Sequence, residues 1–441
     1  LDGAIAPYVV NAQFRDENNV DIFQAIPDRL EKFMGMVNGY LGLKTQANAD
    51  KKIGIVYFRG PGKNALTAGN MEVAESLHNT LLALRAQGYN VADLPANFND
   101  FQTQLNRQGT VMAPKAAGQA EQFLQEADPA FIPADQYQRW CQALAYQLCN
   151  AVEAIYGPAP GNYLVDEKRG LAVARLQFGN VAILPQPLPG YGDNTFKLVH
   201  GTDKAPPHAY LGAYFWLRHT FAADAVIHFG THGSLEFTPS KQVALAESDW
   251  ADALLGGLPH FYIYTMSNVG EAIIAKRRSY AVIVNHLTPP FSRAGLTSEL
   301  SGLQRALAAY AASEGAIQEQ HRLEINQTLK NLSLDADLGI DDAVLKNQSS
   351  WDNKVYQPAA EWLETVGAEK ITQGLYTLGA PYTEQESLQT AQLMFEDTLE
   401  NHAKELASLT TVSAPPANTT LTQYWIAQAA AGVEATTLLQ A

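Results

Sequence analysis

Cysteine is almost absent from this chain, positive charge is scarce, and no apolar stretch is long. Each shortage excludes something. Two cysteines in 441 residues cannot make a dense disulfide scaffold or the paired Cys-x-x-Cys ligands of a zinc ribbon. The 30 Lys and Arg against 45 Asp and Glu leave a net charge of -15, which disfavours nucleic acid or an anionic membrane surface as the main partner. No apolar run approaches the roughly 20 residues that span a bilayer. Gly-x-Ser-x-Gly and His-Glu-x-x-His are missing too, so acyl-transfer enzymes and zincin proteases find no support. The opening "LDGAIAPYVV" has neither an initiator methionine nor a charged-then-apolar leader pattern. It reads as an interior piece of something larger or as a processed product.

The two cysteines, Cys141 and Cys149, lie within "RWCQALAYQLC". On one continuous helix they share a face but stand about 12 Å apart at 1.5 Å per residue, beyond disulfide reach. Buried free thiols in a reducing, cytoplasmic setting are the expectation.

What is present alternates strand and helix. "KIGIVYF" (52–58) is a short β-branched strand. After a glycine turn, Val73, Leu77, Leu81 and Leu84 mark an amphipathic helix that Gly88 stops. "NVADL" (90–94) reads as the returning strand of a βαβ unit. Next comes a polar helical excursion, ending in one long helix over "PADQYQRWCQALAYQLCNAVEAIYG" that begins at a proline. "LAVARLQFGNVAILPQP" reads as a hairpin around Gly179-Asn180. A helix over "HAYLGAYFWLRHTF" leads to the strand "DAVIHF". The helix "SDWADALLGG", capped by Ser248 or Asp249, precedes the strand "HFYIYTM", the helix "VGEAIIAKRRS" and the strand "YAVIVNHL". Beyond residue 294 the pattern is mostly helical. The length suits two or three domains: an α/β domain at 1–95, a helical excursion at 96–170 that packs against a central α/β domain at 171–293, and a mainly helical region at 294–441. The expected fold class is α/β, with parallel sheets flanked by helices in more than one domain and a largely helical carboxyl-terminal region.

The central strand runs into "VIHFGTHGSLEFTPSK" (226–241), where His228, His232 and Glu236 recur at intervals of four. A single helix would put all three on one face, as a metal site requires. Gly230 and Gly233 stand between them, however, and each costs about 1 kcal/mol inside a helix. Strand end, glycine turn and a short "SLEF" segment is the better reading, because ligands bind outside the carboxyl ends of parallel strands. For His228 alone a core histidine satisfied by hydrogen bonds is an equally good reading.

Other stretches weigh less. "GPGKNALTAGN" (60–70) fails the phosphate-loop pattern, since Gly62-Lys63 is followed by Asn64; a plain glycine turn is expected, with no ATP site in this chain. Lys276, Arg277 and Arg278 close a helix, where cations complement the helix dipole or recognise carboxylates. His208, at a helix start, is a ligand candidate, whereas His260 and His286 read as strand-end packing.

These residues carry a resemblance. "ADAVIHFGTHGSLEFTPSKQ", "SDWADALLGGLPHFYIYTMSNVGEAIIAKRRSYAVIVNHLTPP" and "APPHAYLGAY" closely resemble the large subunit of class I tetrapyrrole chelatases, the family of the cobaltochelatase large subunit, CobN, and the porphyrin-binding H subunit of magnesium chelatase. "GIVYFRGPGKNALTAGNMEVAESLHNTLLALRAQGYNV" and "TQGLYTLGAPYTEQE" resemble earlier and later blocks of it. The likeness runs over about residues 1–390, with Ser240 in place of the family's glycine before Lys241 and poorer matches at 96–132 and 320–365.

The resemblance implies a chain that binds a porphyrin, corrin or haem ring where a divalent metal enters or leaves, with an AAA+ ATPase and companion chelatase subunits as partners. The metal is Co²⁺ or Mg²⁺, or iron in a haem-dechelatase-like branch found in anaerobic bacteria. Insertion must remove two pyrrole N–H protons, so a base is needed near the ring centre. Glu236 is expected to carry protons, His232 to face the metal and His228 to support it, all three being candidate metal contacts. Arg277 or Arg278 is expected to meet the ring's acidic side chains, with Tyr210 and Phe237 lining an apolar pocket for its face; His208 and Lys241 are further substrate-binding candidates. Two other classes stay open: a non-catalytic carrier of haem or another ring, and a hydrolase holding Zn²⁺ between His228, His232 and Glu236.

Overall fold

The computed structural model describes residues 7–59, 66–110, 118–190, 204–231, 233–409, 415 and 419–431. Its centre is strand β1, Ile53–Tyr57, buried at all five positions. Ile53, Ile55 and Tyr57 face one apolar layer and Val56 the other. A strand covered on both faces has no solvent side, so its sequence runs apolar without alternation. The other strands of the same sheet are β2 (Leu176–Phe178), β3 (Val181–Pro185), β4 (Ala225–Phe229), β5 (His260–Thr265) and β6 (Val282–His286). Across the sheet they lie β6-β5-β4-β1-β3-β2. All neighbours are parallel except the hairpin of β2 and β3, which turns at Gly179-Asn180.

Five helices matter for the site: α1 (Pro27–Thr45), α2 (Val73–Ala86), α3 (His208–Phe215), α4 (Trp250–Leu255) and α5 (Val269–Ser279). Leu77 and Leu81 of α2 pack on one face of the sheet with Phe101 and Leu105 of the helix Phe98–Gln108. Leu211 and Phe215 of α3, Leu254 of α4 and Met36 of α1 cover the other. Counting only the parallel strands, chain order across the sheet is second, first, third, fourth, fifth. The winding direction therefore reverses between β1 and β4, and such a reversal opens a crevice at the carboxyl ends of the two strands.

Three expectations need correction. Residues 90–94 form turns, not a strand: Asp93 takes a left-handed φ of 58°, and the Asn90 carbonyl accepts from Asn180 N at 2.9 Å. The strand that returns beside β1 is β3, after the whole excursion. The long helix over 134–156 is two helices, Ala134–Gln142 and Leu148–Tyr156, because Tyr146 and Gln147 adopt positive φ and turn the chain back. That reversal brings the Cα atoms of Cys141 and Cys149 to 5.2 Å, and they form a disulfide rather than two free thiols. Finally, "LAVARLQF" breaks after Val173. Gly170–Val173 joins a small sheet with Ala130–Ile132 and Val165–Asp166, and only Leu176–Phe178 enters the main sheet.

By contacts the chain divides into two units, Leu1–Pro289 with Leu375–Pro381, and Pro290–Gly374 with Tyr382–Ala441. The lines differ from those read in the sequence, since β1 and the motif strand β4 share one sheet. The second unit is largely helical. Helices Ser298–Ala311 and Gly315–Asn331 close a core of Leu303, Leu307, Ile325, Leu329, Trp351 and Val355. A capping box of Thr383 and Glu386 starts the helix Glu384–Met394. No described helix is long and apolar enough to cross a membrane.

Candidate functional site

The glycine motif leaves the end of β4, beside the end of β1, at the winding reversal. Gly230 has φ +95°, and a Cβ there would lie 2.5 Å from that of Ala68, so no other residue fits this turn. Thr231 Oγ1 accepts from Thr265 N at 2.8 Å, tying the end of β4 to the end of β5. His232 lies outside the described residues, as do Gly62, Lys63 and Asn64. Gly233 is hemmed in: a Cβ would stand 2.8 Å from Tyr262 Oη and 3.2 Å from Gln186 Oε1. Ser234 Oγ meets Tyr210 Oη at 3.0 Å. One 3₁₀ turn, Leu235–Phe237, then carries Glu236 and Phe237 inside, and the Thr238 carbonyl accepts from Arg278 Nη2.

Glu236 is 0% exposed. Its Oε1 accepts from Tyr262 Oη at 2.9 Å, and Tyr262 Oη accepts in turn from Gly233 N. Burial pushes the hydroxyls of Tyr210, Tyr214, Tyr262 and Tyr264 upward, and the Glu236 charge adds to the push on each. All four stay protonated, and of them Tyr262 donates to the carboxylate. Arg278 is buried as well, and burial lowers it although Asp249 and Glu236 favour its charge.

Beneath the turn runs a chain of neutral groups. His260 Nδ1 lies 2.7 Å from the Ser279 carbonyl, so it must carry a proton there. His260 Nε2 is then a lone pair that accepts from His228 Nδ1 at 2.6 Å, and His228 Nε2 accepts from Tyr214 Oη at 2.9 Å. A carbonyl at one end thus sets both tautomers. Burial holds both rings neutral, pushing His260 down to about 4 and His228 well below the usual range, where the neighbouring ring adds a second cause. A chain that ends on a carbonyl has no exit for a proton, so it braces the site without conducting.

His228 is therefore not placed to ligate a metal, because both of its ring nitrogens are engaged in hydrogen bonds. The same geometry removes it from a zinc triad with His232 and Glu236. His208 is also withdrawn from ligand contact, since Nδ1 bonds Tyr137 Oη at 2.9 Å and Nε2 the Gly157 carbonyl at 2.8 Å. It pins α3 to the excursion, and burial lowers it. Tyr210 is fully buried beside the turn. Arg277 and Lys241 are exposed. Lys241 sits on a loop that Asp249 holds by accepting from Lys241 N at 2.9 Å and Ala246 N at 2.6 Å. Asp249 stands at the N-cap of α4, yet its carboxylate serves this loop instead of the helix amides.

Sequence reasoning missed Tyr262, Tyr214 and Gln186, and took His260 for packing. The signal for two of them is the period of β5: His260, Tyr262 and Tyr264 alternate with Phe261 and Ile263, which puts three polar-tipped rings on one face. Also unforeseen is the buried Asp252 of α4, which accepts from Arg29 Nη1 at 2.9 Å, Lys32 Nζ and Tyr280 Oη at 2.8 Å. This cluster fastens α1 to α4.

Fold and site together define a doubly wound α/β protein with a buried carboxylate at its winding reversal. The family described as CobN/Magnesium Chelatase matches residues 1–437, and the chain belongs to that family. It is 34% identical over 389 residues to the magnesium-chelatase H subunit of Rhodobacter capsulatus, covering 86% of this chain and 30% of that protein. Against the aerobic cobaltochelatase subunit CobN of Pseudomonas aeruginosa the identity is 32% over 375 residues, covering 83% of this chain and 28% of the relative. A solved structure, the catalytic subunit of cobaltochelatase from Mycobacterium tuberculosis, superposes with a TM-score of 0.76 at 28% identity, covering 88% of this chain and 32% of the other. The chain thus spans about a third of the length of these proteins.

Proposed function

We propose that this chain is the portion of a large chelatase subunit in which a tetrapyrrole exchanges its two pyrrole protons for a divalent metal. The observation that carries the reading is Glu236, a fully buried carboxylate held by Tyr262 in a glycine turn at the winding reversal. A carboxylate in such a place has the chemistry to accept a pyrrole proton as the metal enters, and to return one when the metal leaves. Two protons leave the ring for each ion; Glu236 takes one, and it can take the second only after passing the first to water or another base. The metal, Co²⁺ or Mg²⁺ going in or iron coming out of haem, is substrate, and His232 is the residue proposed to meet it as it sheds water.

Arg277 and Lys241, both exposed, are the proposed contacts for the ring's acidic side chains. Arg278 stands inward of them, its guanidinium supporting the Thr238 carbonyl. An AAA+ ATPase and companion subunits are the proposed source of the nucleotide-driven part of the cycle. Family membership supports the reaction class, and the neutral brace beneath the turn supports a site organised around the carboxylate and not around His228.

The test uses full-length protein with its companion subunits. A metal-free porphyrin or corrin and haem are each added, and the Soret band and fluorescence are followed. Binding shifts or quenches the ring's spectrum. Incubation of the metal-free ring with Co²⁺ or Mg²⁺, and separately of haem under anaerobic reducing conditions, then reads the direction. No spectral change with any ring removes the proposal.

A further inference from the structure

We infer that Tyr262 is the positioning residue for Glu236, through a hydroxyl whose direction the turn itself dictates. Gly233 N–H donates to Tyr262 Oη, so the hydroxyl's single proton is directed to Glu236 Oε1, 2.9 Å away. One atom thereby joins the first residue of the turn's return to the carboxylate three positions on. The phenol cannot swing aside. Tyr262 is 0% exposed, and its ring is held by those of His228 at 5.1 Å, His260 at 5.8 Å and Tyr264 at 5.0 Å. The tautomers of the two imidazoles are set in turn by the Ser279 carbonyl.

A glutamate has three side-chain torsions and, unanchored, distributes its oxygens over several positions. Proton transfer needs its partners within hydrogen-bond reach, and a displacement of about 1 Å costs on the order of 100-fold in rate. Phenylalanine at 262 would fill the same core, so the hydroxyl is what distinguishes an anchor from packing.

The kinetic part of this inference rests on the proposed proton exchange at Glu236; the structural part does not. Tyr262→Phe in the full-length protein is expected to leave the KM for a metal-free porphyrin within about threefold while kcat for Co²⁺ or Mg²⁺ insertion falls about 10- to 100-fold. The second arm is a double-mutant cycle of Tyr262→Phe and Glu236→Leu on urea unfolding, which needs no turnover. The two substitutions should be non-multiplicative by about 10- to 100-fold in the unfolding constant, as befits a hydrogen bond to a charged group. Independent, multiplicative effects, or a Tyr262→Phe variant with full kcat, would overturn the assignment. Absence of insertion by the unmodified protein would count against the chelatase reading alone, because the unfolding cycle still decides the anchor. Should Glu236→Leu fail to fold, the KM-against-kcat split in Tyr262→Phe decides it.

Discussion

Buried in the sheet unit are His228, His260, Glu236, Asp252 and the tyrosines at 210, 214 and 262. The buried side chains of the helical unit include Leu303, Leu307, Ile325, Leu329, Trp351 and Val355, with Arg322 and Thr390 the polar residues buried among its described ones. Polar groups destabilise a core unless each is hydrogen-bonded, and a buried ion pair is often less stable than apolar side chains of the same volume. A fold under pressure for stability alone would resemble the helical unit. The sheet unit holds its polar groups in directed chains from carbonyl to imidazole to phenol, and from amide to phenol to carboxylate. Such an arrangement is understandable where chemistry needs a carboxylate away from water.

The largest expected effect that sharpens this contrast is at Asp252. Replacement by alanine removes the fully buried carboxylate that Arg29 and Lys32 share, leaving Arg29 only the partly exposed Asp28 and Glu247 and Lys32 no carboxylate partner among the described residues. A loss of about 3–5 kcal/mol in denaturant unfolding is expected, and a loss below about 1 kcal/mol would show that the cluster is effectively solvated. In the helical unit the matching deletion is apolar. Trp351→Ala should cost about 3–5 kcal/mol by opening a cavity, while the porphyrin spectrum of the variant stays that of the parent. A changed spectrum would break the division between the units.

Acid sharpens the contrast further. His260 sits at about 4 in the folded chain and near 6.5 when unfolded, so between these values the unfolded chain binds more protons. Stability should therefore be flat above pH 7 and fall by about 3 kcal/mol as pH drops from 6.5 to 4. His260→Gln should remove about that much of the fall and leave the part contributed by His228, whose ring burial also holds neutral; an unchanged slope would place the acid sensitivity elsewhere. The smallest effect is expected at the disulfide. Closing so short a loop is worth about 2.5 kcal/mol, which Cys141→Ser or reductant should remove from the sheet unit.

The alternation of strand and helix from residue 204 onward is legible in the sequence, as is a glycine turn at a strand's end carrying Glu236, because apolar period and turn chemistry act locally. Less legible are features decided by distant partners. "QALAYQ" is made mostly of good helix formers, yet Tyr146 and Gln147, both exposed, take positive φ while Cys141, Leu148 and Cys149 on either side enter the core. The partner strand of β1 lies beyond the whole excursion, so the nearer "NVADL" looks like the return. Recurrence by four at His228, His232 and Glu236 looks like a shared metal face, but His228 sits on a strand with its ring nitrogens on His260 and Tyr214, and Glu236 sits in a 3₁₀ turn with its carboxylate on Tyr262.

Glu236→Gln in the full-length protein decides whether Glu236 moves protons at a bound ring. The substitution preserves size and an acceptor oxygen and removes the basicity. The expected result is ring binding within about threefold of the parent, with metal exchange reduced at least about 100-fold. Exchange at the parental rate would contradict the claim and leave the chain as a carrier of its ring.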